Sequence, residues 1–219
     1  MMKKSLFVLI AMFATIFSSY AQQKLDLKLI KETVENENGY YNDILNIYLT
    51  DDPLIRLDDL ALVYYGQAFT AEYRGANDKN EEELKNHIAI GDNHKAYLTA
   101  KKILAYNPVS LNALFYAWRT GEALGKPQSE TDSYVNKYLS LLNMITTYGD
   151  GKSSRTPFYI ISPDDQDHIL YGMLEISNVI DRNLDTSTLC NIVKVEPSEK
   201  FNERNVYINV SIFLSHTSK

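Results

Sequence analysis

The segment TYGDGKSSRTPFYIIS, residues 147–162, is where the chain changes character. Before it, apolar residues recur at intervals of three and four, the period of a helix that buries one side. After it they come in short runs bounded by proline and polar residues, which is how strands read. Gly149 and Gly151 flank Asp150 and tolerate positive φ, so the switch falls on a turn.

Working backward from that turn, Tyr134, Val135, Tyr138, Leu141, Leu142 and Ile145 line one side of a helix from about Ser129 to Tyr148. Leu111, Leu114, Phe115, Trp118 and Leu124 mark another, ended by Gly125. Ala96, Ala100, Ile103 and Leu104 mark a third, stopped by Asn107-Pro108. Glu81 to Ile90 reads as a short helix capped at Gly91-Asp92, and the acidic run Glu81 to Glu83 as its solvated first turn. Arg74 to Asn80 reads as an exposed loop. Earlier helices start near Asp58, near Tyr40, and around Leu29, Ile30 and Val34.

Working forward, Pro157 to Ser162 reads as a strand and Asp164 to Tyr171 as one or two helical turns. Met173 to Asp181, Thr188 to Val195 and Asn205 to Leu214 read as further strands. Short polar links between them predict an antiparallel meander. The expected fold class is therefore α+β: a helical region over residues 22–148 and a small antiparallel β-sheet over 149–219, packed onto it as one compact unit.

The first 21 residues read as a cleavable leader. Lys3 and Lys4 precede an apolar run from Leu6 to Phe17, and Ser19-Tyr20-Ala21 places small residues where signal peptidase reads them. The run is shorter than the roughly 20 residues needed to cross a hydrocarbon core. Export to the periplasm or beyond, with cleavage after Ala21 and no membrane anchor in the mature chain, is the expectation. Cys190 is the only cysteine, so no internal disulfide forms and the thiol reads as buried and apolar. The net charge of −6 becomes more acidic once the two leader lysines are gone. An acidic surface excludes nucleic acid as a partner, because phosphate binding needs a basic face.

Ala100, Asn107-Pro108 and Leu124-Gly125 together resemble part of a tetratricopeptide repeat, which implies a helical hairpin of that kind within the α region. A wider resemblance rests on Tyr40-Tyr41, then Leu57-Asp58-Asp59-Leu60 leading to Val63-Tyr64-Tyr65-Gly66 and Phe69, and then Gly149-Asp150-Gly151-Lys152-Ser153 before a β-rich end. In this order the chain resembles domain-of-unknown-function family 4919 (DUF4919) of Gram-negative, Bacteroidota-type bacteria. It departs at Ala61-Leu62, where a more polar stretch is expected, and in a shorter β end. The resemblance implies an exported bacterial protein and carries no catalytic residues over.

Local motifs for chemistry are sparse. Gly151-Lys152-Ser153 ends like a phosphate loop, but Thr146 stands where the first glycine belongs and a helix precedes it. Asp181, Asn183 and Asp185 match alternate ligand positions of a calcium loop, yet Thr186 replaces its glycine and Ile192 its bidentate glutamate. Asp165 and Asp167 beside His168 are the catalytic candidates, since carboxylates with an imidazole suit acid–base chemistry. The competing reading is a helix cap and a solvated turn. His87 and His94 lack the spacing of a zinc helix. Tyr64 and Tyr65 are the binding candidates, with core packing as the alternative.

No cofactor or metal is expected from these patterns. The functional expectation is a non-enzymatic interaction scaffold or binding protein, with another envelope protein as a partner. An envelope or extracellular hydrolase using carboxylates near His168 is the alternative, and small-ligand or glycan binding through exposed tyrosines is a third. Intact-mass analysis of the exported protein should return a chain beginning at Gln22; a mass that retains Met1 would remove the leader reading.

Overall fold

Helix α3, Leu57–Gly66, is buried on every side from Leu60 onward, as a helix at the centre of a domain must be. The computed structural model describes residues 24–36, 39–52 and 54–217, so the leader read at residues 1–21 lies outside the described residues. Around α3 pack α1 (Leu27–Glu35), α2 (Tyr40–Leu49) and the long α7 (Gln128–Tyr148). The remaining helices, α4 (Lys79–Ala89), α5 (Asn93–Leu104) and α6 (Leu111–Ala123), stack in sequence order and lead into α7.

Their starts follow local chemistry. Asp26, Asp78, Asp92 and Ser110 each accept a backbone N–H of the first turn through the side chain, satisfying a donor that has no partner inside the helix. Leu84, Ala96, Ala100, Ile103, Ala113 and Ala117 form a small core of their own, where alanines let α4, α5 and α6 approach closely. The larger core is continuous across helices and strands, joining Tyr64, Tyr65, Met144 and Ile145 to Phe158, Ile160, Val193 and Ile208.

The sheet follows α7 with strands β1 (Phe158–Tyr159), β2 (Val179–Asp185), β3 (Cys190–Val195) and β4 (Asn205–Asn209), in spatial order β1-β4-β3-β2. The two hairpin pairings are antiparallel, but β1 runs parallel to β4, with Phe158 opposite Ile208 and Tyr159 opposite Asn209. The expected all-antiparallel sheet is thus corrected to a mixed one. The chain between β1 and β4 crosses back through a helical segment and a hairpin before β4 enters, and such a crossover returns a strand in the same direction.

Two strand limits also change. Met173 closes a π-helix rather than opening a strand, and β2 begins only at Val179. The final strand stops at Asn209, whose side-chain oxygen accepts from the N–H of Ser211 at 3.1 Å and its hydroxyl at 2.6 Å. That capping turn starts helix α8, Ser211–Thr217.

The glycine turn at 149–151 is the joint between the helices and the sheet. Gly151 has φ +67°, and a Cβ there would lie 2.1 Å from the Phe158 ring; a Cβ on Gly149 would lie 1.9 Å from the Pro157 carbonyl oxygen. Backbone N–H groups of Asp150 and Gly151 donate to Thr156 O, and Tyr207 N donates to Gly151 O, so the turn is stitched to β4. By contrast Gly91, at φ +72°, has no atom within 4 Å of its would-be Cβ. Gly91→Ala should therefore lose about 1 kcal/mol in urea unfolding from the left-handed conformation alone. Gly151→Ala should lose about 2 kcal/mol more from the clash; equal losses would contradict the close approach.

Candidate functional site

Tyrosines from the α3 region hold the segment that carries the predicted acidic cluster. The Tyr64 hydroxyl donates to Asp165 Oδ2 at 2.8 Å, Tyr65 to the carbonyl of Tyr159 at 3.3 Å, and Tyr73 to the carbonyl of Ile161. Tyr64 and Tyr65 are 0% exposed, so as candidate binding residues they reach no ligand from solvent; they pack and anchor. Asp165 is likewise sealed at 2% exposed and also accepts from the N–H of Ser162 at 2.9 Å. Burial pushes its carboxyl up to about 7, against the pull of those two hydrogen bonds, with the charges of Asp164 and Glu81 adding to the rise.

The three catalytic candidates do not converge as a set, although Asp167 and His168 border one cleft. Asp165 faces the core, whereas Asp167 is exposed and pairs with Arg182 at 3.1 Å. His168 turns a third way, its Nδ1 3.2 Å from the Tyr138 hydroxyl and its ring against Phe115 (5.5 Å) and Tyr138 (5.4 Å). Burial holds the imidazole down to about 4, so it is uncharged at neutral pH. The divergence follows from helical rotation: Asp165–Asp167 is a single turn, which sends successive side chains in different directions.

That turn runs into a π-helix, His168–Met173, in which Leu174 N donates to Ile169 O, five residues back, at 2.9 Å. A π turn inserts an extra residue per turn, and such turns recur at functional sites. Here it brings His168, Tyr171 and Gly172 to one wall of a cleft of about 470 Å³. Asn112, Phe115 and Tyr116 of α6 and Tyr138 of α7 form the facing side. Lys85 of α4 reaches Asp164 at 2.5 Å, and this pair also borders a neighbouring cleft of about 420 Å³ near the start of α4. A Cβ on Gly172 would sit 2.8 Å from the Tyr138 hydroxyl that holds His168, so any side chain there would push that hydroxyl aside.

Behind Asn112 stands a polar anchor. Glu81 accepts from Ser110 Oγ at 2.6 Å and from Asn112 Nδ2 at 2.7 Å, and burial raises its carboxyl despite both bonds. Glu81 is therefore no part of a solvated acidic run, as its sequence context suggests; it joins α4 to α6.

The other predicted positions lie elsewhere. Asp181, Asn183 and Asp185 stand on strand β2, not in a loop, at alternate positions of one face. Asp185 caps the following turn, accepting from Ser187 N, Ser187 Oγ and Thr188 Oγ1, so both its oxygens are engaged there. No group of three or more His, Cys, Asp or Glu side chains able to hold a metal occurs among the described residues. Phe115 and Tyr116 on one helix and Tyr171 on another segment carried no functional signal in the sequence, where rings at helical spacing read as packing. Only the fold assembles them.

The family model described as "Domain of unknown function (DUF4919)" matches residues 28–219. No curated protein and no solved structure matches the chain. No described helix is long and apolar enough to cross a membrane.

The two buried titrating groups oppose each other in the pH dependence of stability. Asp165 keeps a proton in the folded protein that the unfolded chain, with the ordinary value of 3.8, releases; its contribution falls as pH rises from about 4 to about 7. His168 stays neutral where the unfolded imidazole, at 6.5, is protonated, so its contribution rises from about pH 4 to 6.5. Asp165→Asn can keep both donors, since both meet the one oxygen Oδ2. Denaturation across pH should show Asp165→Asn gaining stability relative to wild type as pH rises toward 7.5; a constant difference at every pH would disprove the assignment.

Proposed function

The chain belongs to the DUF4919 family, and from its geometry we propose that it is an exported binding protein whose receptor site is the cleft between α6, α7 and the π turn. The observation that carries this reading is the commitment of every acidic group around the cleft. Asp164 is paired with Lys85, Asp167 with Arg182, and Asp165 is enclosed by Tyr64 and Ser162. Acid–base work by these carboxylates would need one of them uncommitted and aimed at the reacting atom beside His168. Binding needs a preformed concave surface with rings and a few polar groups, and small-molecule sites occupy about 300–1,000 Å³.

The hydrolase alternative draws on Asp167 and His168, which line the same cleft. It requires Asp167 to leave Arg182, so it is the weaker account. Export and the encounter with another envelope protein remain part of the proposal through the leader and the acidic surface.

A thermal-shift screen of the mature chain against a library of small metabolites tests the receptor reading. Ligands at 100 times their Kd should stabilise the protein by about 2.7 kcal/mol. The shift should vanish in Tyr171→Ala, whose side chain is half exposed and whose loss leaves the core intact. Hits that stabilise both proteins equally would place binding outside the cleft, and steady release of a cleaved product would favour the hydrolase.

A further inference from the structure

The cleft is electrically closed. Its lysine is 2.5 Å from Asp164, Asp167 is 3.1 Å from Arg182, and the imidazole within it carries no charge at neutral pH. A charged ligand finds no uncommitted counter-charge on this lining and would have to compete with an existing partner for one. The site therefore selects for a neutral occupant.

Its hydrogen-bonding capacity is open by comparison. Tyr116, Tyr171 and His168 all line the cleft; the bond of His168 to Tyr138 uses Nδ1 and the bond made at Tyr116 uses its backbone carbonyl, which leaves both phenol hydroxyls and Nε2 to face an occupant. These groups offer both donors and acceptors, since a phenol does either and a neutral imidazole nitrogen does one according to its tautomer. An apolar occupant would leave them unsatisfied.

Ring geometry narrows the class further. Phe115 meets Tyr116 at 78°, Tyr138 at 51° and His168 at 58°, and Tyr138 meets His168 at 76°, so none of these contacts is a parallel pair of the kind that sandwiches a flat base. They form instead an angular apolar wall beside open hydroxyls. The occupant that matches is uncharged, non-planar, and carries C–H faces next to many hydroxyls.

We propose that the cleft binds a neutral carbohydrate, a mono- or disaccharide unit, with its C–H face on Phe115 and its hydroxyls on Tyr116, Tyr171 and His168. This rests on the receptor reading and goes one step beyond it. The protein carries its own reporter: Trp118, the single tryptophan of the chain, lies 5.8 Å from the Phe115 ring.

The test is a fluorescence titration of the mature full chain with three sets of probes. Neutral sugars are glucose, galactose, mannose, N-acetylglucosamine, maltose, cellobiose and lactose. Charged analogues are glucuronate and glucosamine, and adenosine is the planar control. At least one neutral sugar should give a saturable change, weakened about tenfold or more in Tyr171→Ala and about tenfold or more in the charged analogues. The carbohydrate assignment is overturned if no neutral sugar binds, if the charged analogues bind as well, or if Tyr171→Ala is without effect. Adenosine or a charged probe that binds alone and is lost in Tyr171→Ala overturns the sugar but keeps the receptor. Silence from every probe, with no shift in the metabolite screen, ends both.

Discussion

The hydrogen bond between Tyr64 and Asp165 joins positions 101 residues apart in a fully buried setting, and the arrangement of the C-terminal region depends on it. It pins the start of the 165–173 helical segment to the central helix, beside the bonds of Tyr65 and Tyr73 to the carbonyls of Tyr159 and Ile161. A lone carboxyl in an apolar interior is unfavourable, so the bond adds little net stability. What it supplies is direction: a buried acid without its donors would be worse, and this pairing is therefore strongly preferred over other packings.

The same device recurs through the molecule. The chain has 16 tyrosines, and several use their hydroxyls to bridge distant segments: Tyr48 to the carbonyl of Pro108, Tyr65 to that of Tyr159, Tyr148 to Asp58, and Tyr106 to Asp78. A tyrosine buries a large apolar ring and still brings a polar end to a partner. Where helices meet a two-residue strand, that polar end satisfies backbone carbonyls that a longer ladder would have satisfied. Most of these bridges tie one helical segment to another, and Tyr65 carries the same device across the boundary to the sheet.

The cleft inherits its character from this boundary. The π turn widens the helix at the place where α6 and α7 present rings, and the ion pairs at the rim quench the charge that the sequence places there. An acidic chain thus carries a locally neutral site, because charge counted along the sequence and charge felt inside a cleft differ once partners from other elements arrive.

Local regularities made the helical half legible in advance. The three-and-four spacing, the Asp and Ser caps and the stops at Pro108 and Gly125 act within one or two turns, and the helices begin and end close to where these signals fall. The turn at Gly149 and Gly151 was also readable, though not its reason, which is the pressure of Pro157 and Phe158 on backbone without side chains. The parallel pairing of β1, the end of β4 at Asn209 and the π turn depend on partners far along the chain. Of the candidate site, the acid-rich segment ending in His168 could be read along the chain. That Asp165 is enclosed, Asp167 paired and His168 set among rings came from the folding of distant elements against it, because burial and partner distance are properties of space and not of spacing.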